Sequence, residues 1–294
     1  MKQKPDFEYE GIRILIRLVD KIGRRLKKIS ERLGFLLYKN EFGERDDDIY
    51  IATYPKSGTT LMQMILYQLT TDGNLDFHHI YEVSPWIRNA SARREKPKVF
   101  SSPRLIKTHD FYKEFPKGTK GRFIFVYRDG MDVAVSLYHQ NKNYNNPDLQ
   151  FDEFIKKFLS WKKRSWFYYT KEWLENKKRF PVLYLTYEDL IHHKEAQIRR
   201  IVDFCKLPYT ADHIERAIRL SSFENMKKEE EKFGVQPPVS KMVFDQFIRR
   251  GKVGEGSKLL SDEQRERFRA LFEAIVNPTM EKTMPENNAR VNIQ

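Results

Sequence analysis

Four short apolar runs separated by helical patterns constrain this chain more than any other feature. DIYIATY (48–54), RLIKTH (104–109), RFIFVYR (122–128) and PVLYLTY (181–187) read as strands with little polar alternation. Helical periodicity fills about 59–70, 130–143, 151–177, 211–220 and 261–276, and YEDL opens a further helix running to about Cys205. Buried strands alternating with helices predict an α/β fold with a central parallel sheet covered on both faces. No composition break divides the 294 residues, so one domain is expected. Its parts are an amphipathic basic helix over 8–38, a core over 48–276, and a mobile loop over the site at 224–258, where KKEEEK, QPP and four glycines fall.

The first strand runs into TYPKSGTTL (53–61), a phosphate-loop-like segment with its lysine in the wrong place for a Walker loop. That loop needs Lys behind its second Gly and a Ser or Thr for magnesium, whereas Lys56 precedes Gly58. The expectation is an anion site at a helix start. Backbone N–H groups of Ser57, Gly58, Thr59 and Thr60 stand free at the positive end of the helix dipole, and Lys56 adds charge. VYRDGMDVAVSLYH (126–139) places Arg128 at a strand end and Ser136 two turns later, suited to a two-pronged phosphate contact or to pairing with Asp129 or Asp132. FIRRGKVGEG (247–256) sets Arg249 and Arg250 before glycines that let backbone approach an anion. Three anion-ready elements suggest a ligand with phosphate groups at two ends. The excess of 54 basic over 41 acidic residues, a net charge of +13, favours anionic partners in the same way. His109 closes the KTH strand at the edge where open α/β sheets bind ligands. A histidine is the usual group for removing a proton near neutral pH, although a histidine so placed is, by itself, more often a surface residue than a catalyst.

Ile12, Leu15, Val19, Ile22, Leu26, Ile29, Leu33 and Leu36 recur at steps of three and four, with Lys and Arg between them. The expectation is a helix packed on its own domain; a heptad seam between two chains and a basic helix in peripheral contact with a membrane are the competing readings. No apolar stretch reaches membrane-spanning length and no signal-peptide core appears. The single cysteine, Cys205, reads as buried, which suits a reducing, cytoplasmic compartment. His78-His79 and His192-His193 are adjacent pairs pointing apart, with no Cys or carboxylate cluster, so no metal site is expected.

TYPKSGTT, IKTH, YRDGMDVAVSLYH, LTYEDL, SSFENMK and RRGKVGEG, in this order and approximate spacing from 48 to 276, resemble the cytosolic sulfotransferases. The resemblance implies sulfo transfer from 3′-phosphoadenosine 5′-phosphosulfate (PAPS) to a hydroxyl or amine, without a metal. It accounts for the lysine-first loop, which must meet leaving-group charge rather than hold magnesium. By motif position it implies that Lys56, Ser57, Gly58, Thr59 and Thr60 hold the 5′-phosphosulfate. Arg128, Ser136, Arg249, Arg250 and Gly251 take the 3′-phosphate, and Tyr187 and Phe223 contact adenine. Lys107 sits beside the sulfo group and His109 is the base for in-line transfer.

The chain departs from the family pattern in four places. Leu61 stands where a tryptophan usually stacks on adenine. GEGSKLL lacks the usual tryptophan and has Ser257 at the lysine position, with Lys258 one residue on. KTHDF lacks the usual Leu-Pro, and NPTMEKTMPEN offers no counterpart of the family's dimer motif, leaving the oligomeric state open. A P-loop kinase or NTPase lacks its Walker order here. A non-enzymatic nucleotide or nucleic-acid binder explains the charge but gives KTH no role, so a small-molecule acceptor rather than nucleic acid is expected. Acceptor lining is expected from HHIYEVSPWI (78–87), YHQNKNYNN (138–146) and the loop 233–247. Trp86 in PWI reads equally as core packing. Phe233, Met242, Val243, Phe244, Phe247 and Ile248 suggest a hydrophobic alcohol or phenol, with a sterol-like hydroxyl ahead of a sugar.

Overall fold

A computed structural model describes residues 7–144, 146–160, 164–234 and 247–283. The strands are β1 (Ile49–Thr53), β2 (Leu105–Thr108), β3 (Arg122–Tyr127) and β4 (Val182–Thr186). In chain order the first helices are α1 (Phe7–Phe42), α2 (Thr59–Thr70), α3 (Ile87–Ala92), α4 (Gly130–Tyr144), α5 (Phe151–Ser160) and α6 (Trp166–Glu175). Then come α7 (Tyr187–His192), α8 (Lys194–Cys205), α9 (Ala211–Leu220), α10 (Phe223–Lys228), α11 (Gly256–Leu259), α12 (Asp262–Ile275) and α13 (Asn277–Thr283).

The chain forms two compact units, Met1–Gly43 with Ile87–Val99, and Glu44–Trp86 with Phe100–Gln294. In the smaller unit α1 meets α3, and the Arg88 guanidinium lies 4.2 Å from the Phe35 ring centre. The expected burial of the α1 stripe is not found: Leu15, Val19, Leu26 and Leu33 are each 60–61% exposed.

The larger unit carries a parallel sheet in the order β2-β1-β3-β4. Ile49 pairs with both Leu105 and Arg122, and Phe123 pairs with Val182, so the four strands end along one edge. Successive side chains of a strand point to opposite faces, and both faces here are covered. Ile49, Ile51, Ile124, Val126 and Leu185 join Met62, Ile65 and Leu66 of α2 and Ile198, Ile201 and Val202 of α8 in one apolar core. Tyr50, Phe123 and Phe125 face an aromatic layer, in which Phe123 stacks on Phe180 and Phe125 on Trp173. Asp48 and Arg104, 0% and 3% exposed, form a two-pronged pair at 2.7 Å below the starts of β1 and β2. Such a pair tolerates burial because each charge has its partner.

Several expected helices are divided. The span 151–177 holds α5 and α6, the second capped where the Ser165 hydroxyl accepts from Tyr168 N. The helix expected to reach Cys205 is α7 plus α8, broken at His193 (φ −131, ψ 41). The span 224–258, expected as one loop, contains most of α10, the turn Glu230–Lys232 and the start of α11. Cys205 is buried, which pushes its thiol up to about 12.

Candidate functional site

β1 delivers the chain into a turn closed by Ser57 N donating to Tyr54 O at 3.1 Å. That bond corrects the expectation of four free amides: Ser57 N–H is used, while Gly58, Thr59 and Thr60 have no acceptor for theirs among the described residues. Lys56 (φ 71) and Gly58 (φ 90) are left-handed, a conformation natural only for the second. A Cβ on Gly58 would also lie 2.7 Å from Tyr187 Cδ2, so the tyrosine ring rests on the glycine. Ser57 Oγ is buried with no partner among the described residues, and Thr53 Oγ1 meets Thr59 Oγ1 at 2.6 Å.

His109 follows β2 and stands beside the end of β1. Its Nδ1 is 2.8 Å from Thr53 O. A carbonyl only accepts, so Nδ1 carries the proton and Nε2 keeps a lone pair. Burial, aided by the Lys107 charge, lowers His109 to about 3. Lys107 itself donates to Tyr81 Oη at 2.6 Å and lies 4.3 Å from the Trp86 ring centre. The Trp86 ring in turn meets His109 edge-on at 5.3 Å. Burial lowers Lys107 to about 7, with Lys56 adding repulsion. Lys56 is lowered to about 8 by burial and then by Arg128 and Arg249.

Arg128, at the end of β3, donates to Lys56 O at 3.0 Å and Lys252 O at 3.2 Å, and its guanidinium lies 4.3 Å from the Tyr187 ring centre. Its Nε is buried without a partner among the described residues. Asp132 sits 3.6 Å from Arg128 and accepts from Gly254 N at 2.9 Å and Gly256 N at 2.6 Å, tying the late glycine loop to α4. Arg249 and Arg250 both pair with Glu255, which holds its carboxyl below the usual range. The Phe223 ring fills the space where a side chain at Gly251 (φ 62) would go.

One cavity of about 250 Å³ gathers these elements. Lys56, Gly58, Thr59, Thr60, Lys107, His109, Arg128, Ser136, Tyr187, Phe223, Arg249, Arg250 and Gly251 all line it. Ser57 does not. Leu61, Ile191 and Met226 add apolar wall, and Lys194 and Lys252 add charge that sequence reasoning had not singled out. His139, Gln140, Asn143, Tyr144, Phe247 and Ile248 also line it. Phe233, expected at the acceptor wall, is instead 2% exposed within the apolar core. Met242, Val243 and Phe244 lie outside the described residues. The Tyr81 hydroxyl on Lys107 and the Asp132 carboxylate under the glycine loop bridge distant segments, and no local motif announces them.

A cavity ringed by buried, mutually repelling cations suits a polyanion, because each bound phosphate relieves the repulsion. The family profile described as "Sulfotransferase domain" matches residues 46–284. Sulfotransferase 1C2 of Homo sapiens is 31% identical over 282 residues, covering 87% of this chain and 94% of the human protein. Sulfotransferase 1B1 of Mus musculus is 33% identical over 258 residues, covering 81% and 86%. Among solved structures, mouse sulfotransferase SULT7A1 complexed with PAP matches with a TM-score of 0.62 at 23% identity, covering 80% of this chain and 86% of that one. Retinol dehydratase in complex with androsterone and the inactive cofactor PAP matches at 0.65 and 20%, covering 86% and 88%.

Proposed function

The chain belongs to the sulfotransferase family, whose donor is PAPS, and we propose that it sulfonates a hydroxyl of a small hydrophobic acceptor with His109 as the base. The observation that carries this reading is the meeting of opposites in one cavity: a histidine whose free Nε2 can accept a proton stands beside buried lysines that can meet negative charge. The residues fit the donor. The unpartnered Ser57 Oγ, the Gly58–Thr60 amides and Lys56 suit its 5′ end, and the unpartnered Arg128 Nε, Ser136, Arg249, Arg250 and Gly251 its 3′-phosphate. Tyr187 and Phe223, each resting on a glycine, offer ring faces for adenine.

Bound there, PAPS supplies a sulfo group activated by a phosphate leaving group. Nε2 of His109 accepts the proton of the acceptor hydroxyl, while Nδ1–H stays on Thr53 O and fixes the ring. Lys56 and Lys107 present cationic ammonium groups where negative charge grows, which favours an in-line transfer. Trp86 and Tyr81 orient Lys107 by a ring and a hydroxyl. Phe247, 5.1 Å from Lys56 Nζ, with Ile248 and Met226, favours an apolar acceptor such as a sterol-like alcohol or phenol.

The test is transfer from labelled PAPS to sterol, phenol, amine and sugar acceptors, with and without chelator. Turnover of sterols or phenols that survives chelator is the expected result. Robust turnover of a polysaccharide with none on sterols or phenols overturns the acceptor, and tight PAP binding with no transfer to any acceptor overturns the enzyme reading.

A further inference from the structure

We propose that α1 is a docking helix for an anionic membrane surface, lying along the lipid headgroups with its apolar stripe turned inward. This rests on the smaller unit alone and does not depend on the acceptor. The helix has 36 residues, about 54 Å at 1.5 Å per residue. Leu15, Val19, Ile22, Leu26, Ile29 and Leu33 are 54–61% exposed along it. Apolar side chains in such a row stay wet only when their partner is missing. Added side chains at Gly11, Gly23 and Gly34 would meet nothing within 4 Å, so the helix surface is open beside all three.

The chemistry of the two faces selects the partner. At about 100° per residue the apolar side chains from Ile12 to Leu37 occupy an arc of about 160°, Ile14 and Phe35 excepted. The rest of the circumference is basic. Between Ile12 and Leu36 stand eight lysines and arginines against two acids, Asp20 and Glu31. A wide apolar face bordered by cations is the pattern that lies in a bilayer interface and is drawn there by anionic headgroups. The long Lys and Arg stems reach from the helix flanks to the headgroup phosphates.

A second copy fits less well. A two-stranded seam buries a narrow a/d stripe and is specified by opposite charges flanking it. Here the flanking positions hold Ile16, Gly23, Ser30 and Leu37 on one side and Leu18, Arg25 and Arg32 on the other. No acid meets either arginine, and Ile16, Leu18 and Leu37 would remain at the wet edge. Helix-interior glycines also weaken α1 in isolation, so contact with a surface would contribute much of its order.

Co-sedimentation of the full chain with phosphatidylcholine vesicles, with or without phosphatidylserine, tests the proposal. Pelleting with the anionic vesicles at low salt and release at high salt are expected, with little pelleting on the neutral ones. The triple variant Arg24→Gln, Arg25→Gln, Lys28→Gln should partition about a hundredfold less, roughly fivefold per cation. Ile22→Gln with Leu26→Gln should abolish binding, and unchanged nucleotide binding in both variants shows the larger unit intact. A chain that stays in solution with anionic vesicles overturns the proposal, as does equal pelleting on neutral ones. A dimer in sedimentation equilibrium that Ile22→Gln with Leu26→Gln dissolves, without vesicle binding, assigns the stripe to a second copy.

Discussion

The proposed base needs an unshared lone pair, and at position 109 the Thr53 carbonyl leaves one on Nε2 by accepting from Nδ1–H. His109→Ala is expected to lower kcat by about 10²–10⁴ while PAP affinity, read by calorimetry, stays nearly unchanged. Because burial holds His109 at about 3, its loss of function by protonation should not begin near pH 6.5. The profile of kcat/KM for PAPS, which reports the unliganded enzyme, should stay flat on the acid side and fall above about pH 7 as Lys107 and then Lys56 lose charge. An acid limb centred near 6.5 would count against His109 as placed here. At the other end of the cavity, Arg128→Ala or Arg249→Ala should weaken PAP by roughly ten- to hundredfold and adenosine 5′-phosphate far less. Equal losses on both nucleotides would move those arginines away from the 3′-phosphate. These residues were legible because each follows a strand or precedes a glycine. Tyr81 was not, since its hydroxyl reaches Lys107 from another segment.

Elements place those residues, and one carboxylate joins two of the elements. Asp132 of α4 accepts from Gly254 and Gly256 while lying beside Arg128. Asp132→Ala leaves two amides and a guanidinium without that acceptor, at a cost of about 1.5–3 kcal/mol for a charged hydrogen bond. The expected result is a lower Tm together with weaker PAP binding, since the loop carrying Arg249 and Arg250 loses its tie. A variant that loses stability alone, with PAP affinity intact, would make Asp132 a structural residue only. The strands and α2 were readable to within a residue or two because a buried parallel strand shows as an unbroken apolar run. The breaks inside 151–177 and at His193 were not, because Ser165 and the Thr186 hydroxyl, which accepts from Asp189 N, cap new helices within continuous helical periodicity. The tie through Asp132 spans more than a hundred residues of sequence, beyond any local pattern.

At the scale of the whole molecule, cations gathered without a bound anion strain the fold. Folded Lys107 and Lys56 sit at about 7 and 8, against 10.5 for an exposed lysine. The unfolded chain therefore binds more protons between those values, so stability is lower below pH 7 and rises as pH climbs from about 7 towards 9. Above 9 the buried Cys205 thiol opposes the trend, because it ionises only in the unfolded chain. Thermal melts across this range should show the rise without ligand, and saturating PAP should flatten it by returning both lysines towards their ordinary values. Proton uptake on PAP binding at pH 8, read from calorimetry in buffers of different ionisation enthalpy, checks the same point; proton release would contradict it. The parallel sheet carries a further consequence, one measured in time. β1 has no neighbour nearer in sequence than β2, and Ile49 must wait for Leu105 and then Arg122 before both its edges are paired. A ribosome adding about 5–20 residues per second needs about 3–11 s to make the first of those partners. Through that interval a mostly apolar strand stands unpaired, and the nascent chain is prone to stick to its neighbours before any donor or acceptor has a place to bind.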